Sequence, residues 1–156
     1  MEKRNTIEKV RAFHRFYMPF MNLLGDHYLG SEYSITEARC FFEIYEHEGC
    51  NAAYLSQVMN IDKGYMSRII KAHEKNGYVS REPSLADRRS YELSLTAKGR
   101  QKAEKFIKAA NEEIAGVLCG LSERDEQRLT DAMDTIMKIL SKERGGNEDE
   151  DCSLRA

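Results

Sequence analysis

The side chains best suited to chemistry in this chain are cations placed to grip an anion. Asp87, Arg88 and Arg89 occupy a polar stretch, residues 83–90, between two segments of strand character that begin at Tyr78 and Tyr91. Upstream, Lys63, Arg68 and Lys71, with Gly64, Tyr65 and Ser67 among them, lie off the apolar stripe of a helical pattern. Guanidinium and ammonium groups on a protruding loop and a neighbouring helix donate charge-assisted hydrogen bonds to phosphates, and short polar side chains beside them reach base edges. The plainer alternative is a wet helix face and a solvated arginine pair. Loop length favours contact, because the stretch exceeds the usual hairpin connection of about two to five residues, and long loops in compact domains are disproportionately functional. The candidate contact set is Asn51, Lys63, Gly64, Tyr65, Ser67, Arg68, Lys71, Arg81, Ser84, Asp87, Arg88, Arg89 and Ser90, with double-stranded DNA as the partner.

Other chemistries find little support. No nucleophile–base pair, glycine-rich phosphate loop or carboxylate dyad is evident, so no enzyme is expected. His14, His27, His47 and His73 contain no i, i+4 pair, and Cys40, Cys50, Cys119 and Cys152 show no metal-ligand spacing, so neither a metal nor a cofactor is expected. Cys40 stands among Phe41, Phe42 and Ile44, an apolar setting that raises a thiol pKa and blunts reactivity. Sparse, unpatterned cysteines fit a reducing compartment. No apolar run is long enough to cross a bilayer and the opening residues form no signal peptide, so a cytoplasmic location is expected.

The formal net charge of −2 looks unsuited to nucleic acid until it is divided along the chain. Residues 51–99 carry eight Lys/Arg against five Asp/Glu, whereas residues 34–50 and 145–156 are each acidic by three charges. The local field, rather than the total, is what a polyanion meets.

Stepping from these residues to the elements that hold them, apolar positions from Ile7 to Tyr28 recur at helix spacing, with a kink expected at Pro19. Ser34 and Glu37 form a candidate capping box for a second helix ending near Gly49. Asn51 caps a short helix to about Met59, and Asp62 caps the next, which Gly77 closes. In that helix Met66, Ile69, Ile70 and His73 point inward. Tyr91, Leu93 and Leu95 alternate with Glu92 and Ser94 as a strand does. Thr96 opens a long helix in which Gly116 suggests a close helix approach, and Ser122 opens the last helix. The acidic tail, residues 145–156, has too little apolar content to pack. The expected fold is mainly α with a small β-hairpin wing: a winged helix-turn-helix lobe plus a helical dimerisation stalk, six helices in all. The apolar stripes of the terminal helices exceed what one lobe can cover, so a homodimer is inferred.

The pattern Asp87-Arg-Arg89, Leu93, Leu95-Thr96, Gly99, with Ser67-Arg68-Ile69-Ile70, Gly77, Val79 and Ile35-Thr36, resembles the MarR family of bacterial transcription regulators over roughly residues 5–142. The resemblance implies one domain across residues 1–144, with the winged helix at about 34–99 and dimerisation helices at about 5–30 and 97–142. It also implies a homodimeric repressor of a pseudo-palindromic operator, commonly controlled by a small ligand or an oxidant, with Arg89 in the minor groove. Tyr17, Met18, Met21, Tyr28 and Arg39 then become candidates for an effector pocket, although a Met/aromatic stripe is more often core. The family's peroxide sensors carry a reactive cysteine in the first helix, and this chain has none before Cys40. Two alternatives stay open: a redox-responsive regulator, and a winged-helix protein-interaction module without a DNA target.

Overall fold

The structure is a computed structural model that describes residues 2–24, 27–85 and 89–145; Asp87, Arg88, Cys152 and the tail beyond Gly145 lie outside the described residues. The element order is α1 (Glu2–Phe20), a single 3-10 turn (Tyr28–Gly30), α2 (Ile35–Glu46), α3 (Ala52–Met59), α4 (Lys63–Lys75), β1 (Val79–Pro83), β2 (Tyr91–Leu95), α5 (Ala97–Leu118) and α6 (Glu123–Gly145). The six helices and the hairpin are those the sequence implies. The chain divides into two compact units, residues 1–114 and 115–156.

The first helix differs from expectation. It does not kink at Pro19 and run on to Tyr28; it stops at Phe20. Asn22 adopts a left-handed φ of 50°, Leu23 N–H donates to Met18 O at 2.9 Å and Asn22 N–H to Pro19 O at 3.1 Å. That pair of bonds closes a helix end around a residue that tolerates positive φ. Pro19 stands in the final turn, and lacking an N–H it cannot donate to the Arg15 carbonyl one turn back.

Elsewhere local chemistry sets the boundaries as read. Ser34 Oγ accepts from Glu37 N–H while the Glu37 carboxylate accepts from Ser34 N–H, completing the capping box of α2. Asn51 Oδ1 accepts from Tyr54 N–H at 2.8 Å, and Asp62 Oδ1 from Tyr65 N–H at 3.0 Å. Gly77, at φ +74°, turns α4 into β1, with Tyr78 N–H returning to His73 O at 2.9 Å.

The two strands pair antiparallel, Val79 opposite Leu95 and Pro83 opposite Tyr91. Gly49 N–H donates to Leu93 O at 2.9 Å and Leu93 N–H to Cys50 O at 2.8 Å, so the α2–α3 connection rides on the free edge of β2. Side chains from every layer then meet in one core: Phe41 and Ile44 from α2, Leu55 from α3, Met66, Ile69 and Ile70 from α4, Val79 and Leu93 from the hairpin, and Ala103 and Phe106 from α5. Each large side chain buried here contributes roughly 1.5–3 kcal/mol. Tyr91 is the exception to the expected inward face of β2. It is 47% exposed, because its end of the strand runs past the core, and the Arg81 guanidinium lies 4.6 Å over its ring.

The start of α5 is locked to the end of α4. Thr96 N–H donates to Tyr78 O at 3.0 Å, Thr96 Oγ1 donates to Gly77 O at 2.7 Å, and Lys98 Nζ donates to Asn76 O at 3.0 Å. Gly99 is buried at this junction, and a Cβ there would stand 2.9 Å from the Tyr78 carbonyl carbon, with the oxygen closer still. The glycine is present for close approach. Gly116 is not, within this chain: a Cβ there meets nothing within 4 Å among the described residues.

Ile7, Val10, Phe13, Phe16 and Phe20 on α1 are exposed, as are Ile136, Met137, Ile139 and Leu140 on α6. Among the described residues no helix is long and apolar enough to cross a membrane.

Candidate nucleic-acid interface

The polar face of α4 carries the cations. Lys63, Gly64, Tyr65, Arg68 and Lys71 are exposed, whereas Met66, Ile69, Ile70 and His73 on the opposite face are buried. A 13-residue helix anchored by four core side chains presents its outer residues in fixed directions. Arg68 lies 5.6 Å from the centre of the Tyr65 ring, a cation–π contact that restrains both at the surface. Gly64 sits in the first turn, where an added Cβ would come 3.0 Å from the capping Asp62 Oδ1.

A shallow cavity of about 260 Å³ joins this face to the wing. Asn51, Ser67, Arg81, Arg89 and Ser90 meet on its walls, so five of the thirteen candidate contacts converge in space from α3, α4 and both sides of the hairpin. The first turn of α3 joins them through Ala52 and Ala53, and Tyr91 completes the rim. Ala52, Ala53 and Tyr91 were missed by sequence reading. Alanines carry no polar signal, yet their backbone N–H groups at a helix start are donors, a signal that the Asn51 cap could have supplied.

Three candidates have other engagements. Ser84 is buried, its Oγ donates to Glu92 Oε1 at 2.8 Å and its N–H to Ser90 O at 3.0 Å, so it braces the hairpin beyond β1 from within. Asn51 spends its side-chain oxygen on the α3 cap. Arg81 bridges to Glu74 at 3.7 Å as well as stacking on Tyr91, which ties α4 to the wing. Asp87 and Arg88 fall outside the described residues, while Arg89 is described and exposed.

A second cavity, of about 390 Å³, opens between α2 and α5. Tyr28 and Arg39 line it, together with Phe42, Glu43, Phe106, Asn111 and neighbouring aliphatic residues. Tyr17, Met18 and Met21 are not among its lining residues. Met18 is exposed, and Tyr17 stacks on Phe13 at 5.2 Å within α1. Burial, with the Glu113 charge adding, pushes the Tyr28 phenol above its usual pKa.

The thiols of Cys40 and Cys50 are poorly placed to ionise. Burial, then the nearby Cys50 and Glu43, pushes the Cys40 thiol up to about 12, and burial pushes Cys50 up to about 11. Both stay protonated at neutral pH, which suppresses nucleophilic sulfur. His73 is 1% exposed, neither ring nitrogen has a hydrogen-bond partner among the described residues, and its ring centre lies 4.3 Å from that of Phe41. Burial lowers its pKa, against an opposing pull from Glu37. Among the described residues no group of three His, Cys, Asp or Glu is placed to hold a metal ion.

Comparison with known proteins fits this geometry. Residues 33–91 match the MarR family. Over 100 residues the chain is 29% identical to the organic hydroperoxide resistance transcriptional regulator of Bacillus subtilis; the match spans 62% of this chain and 65% of the relative, just under two thirds of it. In fold, a MarR transcriptional regulator from Methanosarcina mazei matches with a TM-score of 0.67 at 22% identity, covering 89% of this chain and 98% of the other. A mutant MarR from E. coli, solved in complex with operator DNA, matches with a TM-score of 0.69 at 18% identity, over 85% of this chain and 96% of the other. These two likenesses establish the winged-helix fold.

Proposed function

We propose, from the premise that residues 33–91 are a MarR-family winged helix, that this chain is a DNA-binding transcriptional regulator acting as a homodimeric, ligand-responsive repressor. The observation that carries the reading is the continuous cationic and polar surface formed by the outer face of α4, the start of α3 and the wing. Lys63, Arg68 and Lys71 hold phosphates, Tyr65 and Ser67 face the groove floor, and Arg89 reaches the flanking minor groove. Narrow A·T-rich minor grooves attract such an arginine. The caps at Asn51 and Asp62 keep the backbone donors of two helix starts in place beside those side chains.

The exposed apolar faces of α1 and α6 support the dimer. Monomers rarely leave such a stretch of Phe, Ile, Met and Leu wet, and a second copy bearing the same stripe covers it by symmetry. A dimer places two recognition helices one or more duplex turns apart, about 34 Å each, which is why a ligand that alters their separation alters affinity. The second cavity supports the ligand half of the reading, being concave, largely apolar and furnished with a few polar groups. The B. subtilis relative is named for hydroperoxide resistance, but the raised thiol pKa values of buried Cys40 and half-buried Cys50 favour a non-covalent effector at the second cavity.

Salt titration of binding to a selected DNA sequence tests the proposal. Lys63, Arg68 and Lys71 from two copies neutralise about six phosphates, for a slope of log K against log salt near −5. A slope shallower than about −2, on selected and random DNA alike, would replace it with the protein-interaction reading.

A further inference from the structure

The cavity between α2 and α5 has an unusual electrostatic make-up for a cleft that carries an arginine. Arg39 lines it, but its Nε already donates to Glu43 Oε1 at 3.2 Å. Glu43 lines it too and is 6% exposed, while Arg39 keeps more than half its side chain in water. The cation is therefore half in solvent and the carboxylate is the buried partner. His47 Nδ1 stands 3.9 Å from Glu43 Oε2, beyond hydrogen-bond length, so that oxygen retains acceptor capacity. The remaining polar groups are the Tyr28 hydroxyl and the Asn111 amide, and the rings of Phe42 and Phe106 supply the apolar wall.

Resting on the reading of this cavity as the effector site, we infer that its ligand is an aromatic molecule presenting N–H donors, uncharged or cationic, and not a carboxylate or other anion. A donor aimed at Glu43 satisfies a buried carboxylate that has one partner within hydrogen-bond range among the described residues, and the charged acceptor makes such a bond stronger than a neutral one. An anion meets the opposite situation. It must share one solvent-facing guanidinium with Glu43 and place a second negative charge beside it, where reduced water strengthens the repulsion. Taking Arg39 outright leaves Glu43 buried without its cation, and that desolvation is unfavourable. The volume, about 390 Å³, suits two fused rings with a small polar head.

Three probes of one shape separate the possibilities: naphthalene-2-carboxamidine, naphthalene-2-carboxamide and naphthalene-2-carboxylate, titrated calorimetrically into the full chain and into Glu43→Gln and Ala110→Phe. The expected order on the native chain is amidine, then amide, with the carboxylate at least tenfold weaker. Ala110→Phe, which fills the cavity, should abolish all three, and Glu43→Gln should erase the amidine's advantage and improve the carboxylate. A carboxylate binding as tightly as the amidine on the native chain overturns the ligand class while leaving the cavity reading intact. Binding that survives Ala110→Phe, or no binding by any probe, overturns the cavity reading itself. If Glu43→Gln proves unfolded, the ranking on the native chain still decides.

Discussion

Gly99→Ala isolates the joint between the recognition helix and α5. The substitution would ordinarily help, since alanine is favoured over glycine within a helix by about 1 kcal/mol. Here the new Cβ points at backbone, 2.9 Å from the Tyr78 carbonyl carbon and 3.2 Å from its Cα, so no side chain can swing aside. Either α5 retreats or the β1 entry moves. Overpacking of this kind costs about 1–3 kcal/mol. Retreat also stretches the bonds from Thr96 N–H to Tyr78 O, 3.0 Å, and from Thr96 Oγ1 to Gly77 O, 2.7 Å. Each such bond contributes about 1 kcal/mol net. Set against the propensity gain, the expected loss is about 3 kcal/mol, a large share of a typical domain's 5–15 kcal/mol. Urea unfolding followed by far-ultraviolet circular dichroism reads it directly, with Gly116→Ala as the control. That site has nothing within 4 Å among the described residues and should gain up to about 1 kcal/mol. A Gly99→Ala protein as stable as the native one, with an unchanged denaturant slope, would refute the packing argument.

Two further outcomes follow from the interface and the core. Arg89→Ala should weaken binding to a selected operator by about 1–3 kcal/mol, with dimer mass and helicity unchanged; unaltered gel-shift affinity would show that the wing is misassigned. His73 is held neutral in the fold because burial lowers its pKa, so the unfolded chain takes up a proton that the folded chain refuses. Its contribution is fully present above the unfolded value of about 6.5 and declines as pH falls below it, by at most about 1.4 kcal/mol per pH unit. His73→Leu should flatten that part of the stability profile, measured by urea unfolding between pH 8 and pH 5; an equal decline in both proteins would place the acid sensitivity elsewhere.

What was legible in the sequence was whatever local chemistry decides alone. Ser34, Asn51 and Asp62 announce helix starts because a short side-chain oxygen reaches the backbone N–H three residues on, and Gly77 announces an end because it accepts positive φ. Met66, Ile69, Ile70 and His73 announce a buried face because 3.6-residue periodicity puts them on one side. The errors arose where a second element decides. Asn22 resembles any polar residue until the helix end forms around it. Tyr17 and Met18 on α1, and Met21 just after it, do not line the cavity between α2 and α5. Glu43 could not be picked out from the other glutamates of α2, since only the arrival of α5 encloses the cavity it lines. Ser84 resembled a wing-tip hydroxyl, yet its bond to Glu92 turns it inward.

The same joint that explains Gly99 also explains how the two cavities can communicate within residues 1–114. α5 contributes Thr96, Lys98 and Gly99 to the end of α4 and, further along the same rigid helix, Phe106, Ala110 and Asn111 to the second cavity. Lys102 lies between, its ammonium 4.7 Å over Tyr33 and 5.9 Å from the rings of Tyr78 and Phe106. A helix continuous through this region does not absorb a displacement locally; it passes the displacement to its ends. Under the proposed ligand response, entry that widened the α2–α5 cleft would pull on Thr96 and on the Gly77–Tyr78 turn, where α4 ends and β1 begins. Arg81, bridged to Glu74 and stacked on Tyr91, holds α4 and the wing together, so the pull reorients them as a pair rather than parting them. Under the proposed response a ligand would tilt the α4–wing surface whole, and the residues transmitting the tilt would be those whose backbone contacts leave no slack.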